Sequence, residues 1–386
     1  MSDFLILGAG KMGAAVARNL IESDPEHRVT IADRSPDRLA QAALSVSDER
    51  LTTLTLDVAE GSPSEAALRD RDVVVGALPH RYSLAALAAA VRSGVHFVDL
   101  VGEWPDRRLE CNAEAQARGI TVLSGMGVAP GISNVCVGRA VESLDETDSA
   151  FIYVGGIPRN PEPPLNYRVV FAIESVLEAY EREASIIEDG RLQVVPPLSG
   201  VEPIAFPAPF EALECFYTDG LGSLLHTMRG RITRELVEKT VRYPGHVQVI
   251  EVLKACGLFS REAVEVAGRD VVPRRVLERL LDAKLSLGDE QDVTLLRVVV
   301  SGREGNEPAT HVFEMVDHYD PTTNLTSMAR TTGFPASVAA QMIADGTIDE
   351  PGVLFPEDLF SGELFEPLMD ALAKRGIVVT HEVRRG

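Results

Sequence analysis

Apolar and polar positions along the chain fall into two regimes. From residue 4 to 124, short continuous apolar runs alternate with stretches of helical spacing. The runs are FLIL at 4–7, RVTIAD at 28–33, LTTLTLD at 51–57, DVVVGALP at 72–79, HFVDL at 96–100 and ITVLS at 120–124. Runs of this kind fit strands buried on both faces of a parallel sheet. Between them, KMGAAVARNLIE, SEAALRD, SLAALAAAVRSG and RLECNAEAQARG space their apolar residues for helices with one buried face. Six strands separated by helices predict a doubly wound α/β sheet whose ligands lie beyond the strand carboxyl ends.

After Ser124 comes GMGVAPGISNVCVGRAVESL, a glycine-rich turn with Pro130 suited to opening a helix. The βα rhythm then stops. AFIYVGGI at 150–157, VEKTVRY at 237–243, DVTLLRVVVSG at 292–302, THVFEMVDHYD at 310–320 and NLTSMA at 324–329 read as strands. The last three are joined by the turn segments REGNEPA and DPTTN, which indicates antiparallel pairing. Helices fit PGHVQVIEVLKACG and PRRVLERLLDAKL, so this central region is α+β. The tail, with FPASVAAQMIADG and LFEPLMDALAKRG, returns to helical spacing.

Composition narrows the function classes. The 386 residues include 37 Lys plus Arg against 58 Asp plus Glu, a net charge of −21. That balance argues against nucleic acid and against anionic membrane surfaces, both of which need basic patches. The four cysteines, at 111, 136, 215 and 256, have no metal-ligand spacing, so no metal is expected and reduced thiols in a cytoplasmic protein are. The first apolar run is too short for a signal peptide, and none approaches a membrane span.

The glycines give the first regime a ligand. Gly8, Gly10 and Gly13 follow the first strand and open the first helix, and Asp33 ends the second strand 20 residues after Gly13. In such a βαβ unit the first glycine permits the turn, the second lets backbone approach a pyrophosphate, and the third lets helix and strand pack. The helix N-terminus favours the diphosphate charge. Lys11 and Met12 lie in the same loop. Asp33 suits the adenosine ribose hydroxyls and repels a 2′-phosphate, which favours NAD over NADP; Arg34 beside it either pairs with such a phosphate or stacks on adenine. Asp57, Val58, Ala77, Leu78, Pro79 and Leu100, at later strand ends, complete the expected cofactor cleft.

Six blocks together resemble the saccharopine dehydrogenase family, and within it the lysine 6-dehydrogenase subgroup: GAGKMG at 8–13, VDLVG at 98–102, GMGVAPG at 125–131, YVGGIPRNPEPPLNY at 153–167, KTVRYPGH at 239–246 and SMARTTGFPASVAA at 327–340. The resemblance covers essentially the whole chain. It implies a Rossmann domain of residues 1–125 completed by the tail 329–386, and a mixed-sheet substrate and dimerisation domain of residues 126–328. It also implies a nicotinamide-dependent oxidoreductase acting on carbon–nitrogen bonds of an amino-acid substrate in lysine degradation. The expected reaction is NAD-dependent oxidative deamination of the lysine ε-amine. Its products are ammonia, NADH and 2-aminoadipate 6-semialdehyde, which cyclises to piperideine-6-carboxylate. Saccharopine reduction or oxidation with NAD(P) is the alternative, and an inactive NAD-binding regulator is the alternative of another class.

Amine oxidation needs a proton acceptor near the nitrogen and a cation for the substrate carboxylate. Asp99, at a strand end, is the first candidate for the amine, or else caps a nearby loop. His80 and His246 are further acid–base candidates; the first alternatively lines the cofactor wall and the second caps a helix. Arg242 is the candidate for the carboxylate, against a structural ion pair. Tyr153, Gly155 and Gly156 are expected to shape the substrate wall, and Arg330 and Thr331 to close over the site. The meander at 291–319 exposes an edge or face that predicts a homodimer or larger assembly.

Overall fold

The computed structural model describes residues 2–58, 63–170, 172–288 and 291–386. Each apolar run of the first third forms a strand: β1 (Asp3–Leu7), β2 (Arg28–Asp33), β3 (Leu51–Thr55), β4 (Val73–Gly76), β5 (His96–Asp99) and β6 (Thr121–Ser124). They pair in parallel in the order β6-β5-β4-β1-β2-β3. Phe4 to Leu7 and Val73 to Val75 are buried because helices cover both faces of these central strands. The order reverses between β1 and β4, which opens a crevice at their carboxyl ends.

The second sheet is built from β7 (Glu146–Pro158), β8 (Ala184–Glu188), β9 (Arg191–Val195), β10 (Glu202–Ile204), β11 (Leu213–Tyr217) and β12 (Ile232–Arg242). After a separate ribbon, β13 (Val264–Val266) with β14 (Arg269–Val271), come β15 (Asp292–Glu304) and β16 (Glu307–His318). The last strands are β17 (Gly352–Leu354) and β18 (Thr380–Arg385). The order is β10-β11-β12-β7-β15-β16-β18, with β8 and β9 attached beside β12. β7 runs parallel to β12 and antiparallel to β15, so the sheet is mixed. β17 adds a seventh strand to the first sheet, beside β6.

Three sequence expectations change. NLTSMA is not a strand: Thr326 caps a helix, Ser327–Ala344, with its hydroxyl accepting from Ala329 N at 3.1 Å. The Asp292 carboxylate accepts from Ser327 N and Met328 N at 2.7 and 2.9 Å, which fixes that helix start. The last strand, β18, joins the second sheet rather than the first. It pairs with β16 and covers the meander edge from within the same chain, so the argument for a dimer from that open edge no longer holds.

One apolar cluster joins the two sheets. It contains Phe4 and Leu123 of the first sheet, Ile152 and Val298 of the second, and Val135 and Val338 from helices Ile132–Ser143 and Ser327–Ala344. Among the described residues no helix is long and apolar enough to cross a membrane.

Candidate active site

The glycine loop after β1 has the geometry of a dinucleotide cradle. Gly8 has φ +109°, and a Cβ there would lie 2.3 Å from the Ala77 carbonyl oxygen. A Cβ on Gly13 would lie 1.8 Å from the Gly8 carbonyl oxygen. Only glycine fits either position. Gly10 differs: a Cβ there would meet nothing within 4 Å. That opening lies at the start of helix Lys11–Ser23, whose first backbone N–H groups have no side-chain cap, as a pyrophosphate requires. These residues fit a dinucleotide. Asp33 closes the loop from below: its carboxylate accepts from Ala9 N and Ser35 N, both at 2.9 Å. Arg34 beside it is exposed. Ala77, Leu78, Pro79, Asp57, Val58 and Leu100 all lie at strand ends around this crevice, and Lys11 is exposed at the start of the helix.

Several expected substrate residues are structural instead. Asp99 is fully buried and accepts from Ser83 Oγ at 2.5 Å, Val101 N at 3.1 Å and Arg108 Nη1 at 2.9 Å. Arg108 also reaches Ser124 Oγ, Ser83 Oγ and the Glu103 carbonyl. Burial raises the Asp99 carboxyl, with Arg108 opposing. The carboxylate ties strand ends together and does not face an amine. Arg330 pairs with Asp317 at 2.9 Å, and Thr331 donates to the Ser327 carbonyl at 2.9 Å. Both hold the base of helix Ser327–Ala344 rather than close over a ligand.

Tyr153 points the wrong way for a reason of register. It pairs with Lys239, whereas Glu238, Thr240 and Arg242 occupy the alternate positions of β12 and so face the opposite side of the sheet. Tyr153 lines a groove of the outer face with Phe206, Arg297 and Glu314. Gly155 and Gly156 are close-packing positions. Added Cβ atoms would meet the Val241 carbonyl oxygen at 2.4 Å and Met328 Cε at 2.4 Å.

The inner face of β12 carries the unusual group. Arg242 is buried, yet among the described residues no carboxylate lies within 4 Å of it. The other buried arginines, Arg108, Arg274 and Arg330, each have one. Arg242 Nη1 donates to its neighbouring Val241 carbonyl at 2.8 Å, and Nε reaches Tyr180 Oη at 3.4 Å. Its guanidinium carbon lies 4.6 Å from the Tyr167 ring centroid, and the Tyr167 hydroxyl is buried, with no well-aligned hydrogen bond among the described residues.

His246 serves this arrangement and is neither a base nor a helix cap. Its Nδ1 lies 3.0 Å from the Leu165 carbonyl, which only accepts, so Nδ1 carries the hydrogen. Nε2 then accepts from the Tyr180 hydroxyl at 2.9 Å. Burial, with Arg242 nearby, pushes the imidazole down to about 3, so it stays neutral. Helix His246–Ala255 is capped by Glu214, which accepts from Gly245 N and Val247 N at 3.0 and 3.1 Å.

Toward the cofactor crevice the same face continues through Glu238, Asp219, Arg182 and Glu103 to His80. Glu238 is buried, accepts from Thr218 Oγ1 at 2.8 Å, and is pushed up to about 8 chiefly by burial. His80, the first residue of helix His80–Ser93 after β4, places Nδ1 2.7 Å from Glu103 Oε1. Burial disfavours the Glu103 charge, but His80 and Arg182 outweigh it and hold the carboxyl below its ordinary range. Sequence reading missed Tyr167, Tyr180, Arg182, Asp219, Glu238 and Glu103. Only Glu238 had a readable signal: it stands two and four residues before Thr240 and Arg242, on one strand face.

Glu238 makes stability depend on pH. In the folded state it keeps a proton that an unfolded glutamate releases near about 4.3. Stability therefore falls as pH rises from that value through about 8. Glu238→Gln should lose this slope, so its urea midpoint should gain on the wild type between about pH 6 and about pH 9. Parallel pH profiles for the two proteins would refute the assignment.

A parallel dinucleotide-binding sheet facing a mixed sheet with a buried, unpaired arginine defines a two-part nicotinamide-dependent oxidoreductase. Comparison with known proteins gives the family. The model of the saccharopine dehydrogenase NADP binding domain matches residues 4–123, and that of the saccharopine dehydrogenase C-terminal domain matches residues 127–377. The chain belongs to the saccharopine dehydrogenase family. Saccharopine dehydrogenase (NADP(+), L-glutamate-forming) of Saccharomyces cerevisiae is 24% identical over 441 residues, 96% of each chain. Carboxyaminopropylagmatine dehydrogenase of Synechocystis is 25% identical over 414 residues, 100% of this chain and 98% of that one. The apo yeast saccharopine dehydrogenase structure matches all of both chains with a TM-score of 0.83 at 22% identity. Homospermidine synthase of Legionella pneumophila, solved with NAD, matches with a TM-score of 0.70 at 12% identity, over 99% of this chain and 91% of that one. These two share the fold. The preference for NAD read from Asp33 gains no support: the matching domain model is named for NADP, as is the yeast relative.

Proposed function

We propose that the chain is an NADP-dependent oxidoreductase that cleaves or forms the carbon–nitrogen bond of a secondary amine carrying amino-acid carboxylates, saccharopine or a close analogue. The observation that carries this reading is Arg242, a buried guanidinium with no carboxylate within 4 Å among the described residues, set against the buried Tyr167 ring. A substrate carboxylate supplies the missing anion. Tyr180, held by His246, fixes the guanidinium from the other side.

Oxidation removes a hydride from the carbon bonded to nitrogen and leaves an imine, which water splits into an aldehyde and a primary amine. When bound, the nicotinamide accepts that hydride, or donates it in the reverse direction. The chain's own task is the proton on nitrogen. His80 stands at the carboxyl end of β4, next to the crevice, with Nδ1 against Glu103 and Nε2 without a partner among the described residues. An imidazole with a carboxylate 2.7 Å from one nitrogen, close enough for charge attraction though not aligned as a hydrogen bond, is suited to move that proton. Arg34, exposed beside the internally bonded Asp33, is the residue for a 2′-phosphate.

Lysine deamination with NAD is the second reading, favoured by Asp33 at the end of β2 and by the carboxylates of Glu103 and Asp219 along the cleft. Absorbance at 340 nm, followed with saccharopine or lysine and with NADP or NAD, separates the two. The expected result is faster reduction with saccharopine and NADP. Arg34→Ala should weaken NADPH binding by roughly tenfold while leaving NADH unchanged. Turnover of lysine with NAD but not saccharopine with NADP would replace the first reading by the second.

A further inference from the structure

Between Arg242 and the cofactor crevice lies a second incomplete polar group. Arg182 follows helix Ile173–Ala179, Glu103 follows β5, and Asp219 follows β11, so three separate segments meet. Arg182 Nη1 stands 3.8 Å from Glu103 Oε1, and its Nε stands 3.8 Å from Asp219 Oδ2. These distances allow Coulomb attraction but not hydrogen bonds. Among the described residues, Arg182 Nε is buried without a hydrogen-bond partner, and so is Glu103 Oε2.

Buried arginine nitrogens without a partner also occur at Arg274 Nη2 and Arg330 Nε, but those side chains close on a carboxylate through another nitrogen. Arg274, also set among carboxylates, hydrogen-bonds to Glu278 at 2.7 Å and to Glu181 at 2.5 Å. Arg182 has an opposite charge on each side and closes on neither. The site is not sealed, since the Arg182 side chain is 35% exposed against 14% for Glu103. A buried donor and a buried acceptor left unsatisfied together are costly unless a ligand satisfies both.

The ligand must then bring an acceptor and a donor at once. An α-amino-acid head does so, with a carboxylate and an ammonium on one carbon. We propose that Arg182, Glu103 and Asp219 form a subsite for the α-amino-acid head of the substrate. The ammonium lies between Glu103 Oε2 and Asp219, and the carboxylate takes the Arg182 donors. This rests on the reading of the chain as a secondary-amine oxidoreductase and sharpens it. One arm of the substrate ends in an amino-acid head at Arg182, the other in a carboxylate at Arg242, and the reacting nitrogen lies between them.

The test is calorimetric binding to the full-length protein with three probes: L-lysine, 1,5-diaminopentane, which lacks the carboxylate, and 6-aminohexanoate, which lacks the α-ammonium. Wild type should bind lysine best. Arg182→Met should weaken lysine roughly tenfold to a hundredfold and leave diaminopentane unchanged. Glu103→Gln should weaken lysine similarly and leave 6-aminohexanoate unchanged. A merely structural role would weaken all three probes by one factor, and that result overturns the subsite. So does a wild type that fails to discriminate among the probes or binds none. Turnover is measured separately. Probe discrimination that follows this pattern in a protein inactive on every carbon–nitrogen substrate rejects the reaction and keeps the subsite. Activity without the pattern rejects the subsite alone.

Discussion

Asp99→Asn should lower the melting temperature by about 5 °C and leave the KM for substrate unchanged. Asp99 and Arg108 are both sealed from solvent, and each is the other's only opposite charge within salt-bridge distance among the described residues. Removing one member strands the other, which costs about 3–5 kcal/mol for a buried pair. The charge on Arg108 cannot be relieved by deprotonation, because a guanidinium holds its proton at any ordinary pH. Arg108→Met should be similarly destabilising. The double variant Asp99→Asn, Arg108→Met should recover part of the loss, since no orphan charge remains. Thermal unfolding with cofactor-free protein measures all three. A variant Asp99→Asn that melts like the wild type but loses kcat would return this carboxylate to the reaction.

That correction marks where sequence reading ends. The first sheet was legible because strands buried on both faces read as unbroken apolar runs, and because the glycine loop has a steric logic visible in spacing alone. Gly8 and Gly13 sit where a single methyl would strike backbone, as their spacing implied. The second sheet was only partly legible. β8 to β11 are strands of only three to five residues around 184–217 with no clear alternation, and tertiary pairing rather than local pattern makes them. The substrate face failed for a different reason. Asp99 and Glu103 are four residues apart at the same sheet end, and nothing local distinguishes them. Arg108, nine residues downstream of Asp99, claims that carboxylate. Arg242 was legible as a cation at a strand end. That it is buried and lacks an anion depends on elements 62 to 75 residues away in sequence, among them Tyr180 and Tyr167.

Arg242→Met should raise the substrate KM by at least a hundredfold without lowering the melting temperature of the unliganded protein. The two halves of this expectation come from one fact. Because among the described residues no carboxylate pairs with Arg242, its guanidinium is a buried charge whose hydrogen-bond neighbours there are neutral: the Val241 carbonyl and the Tyr180 hydroxyl. A charge in that position costs free energy in the empty protein, and an apolar side chain of similar volume removes the cost. Substrate binding reverses the balance. Each hydrogen bond from the guanidinium to a carboxylate contributes about 1.5–3 kcal/mol, and a two-pronged contact makes two. Loss of both corresponds to roughly two to four orders of magnitude in affinity. Arg242→Lys should not restore KM, since an ammonium offers no planar fork and would still be buried beside neutral His246. NADPH affinity, measured by fluorescence titration, should match the wild type in both variants, because the cradle at Gly8 to Gly13 belongs to the other sheet. The result that contradicts this account is a lowered melting temperature with an unchanged KM, for then Arg242 holds the fold and the substrate carboxylate lies elsewhere.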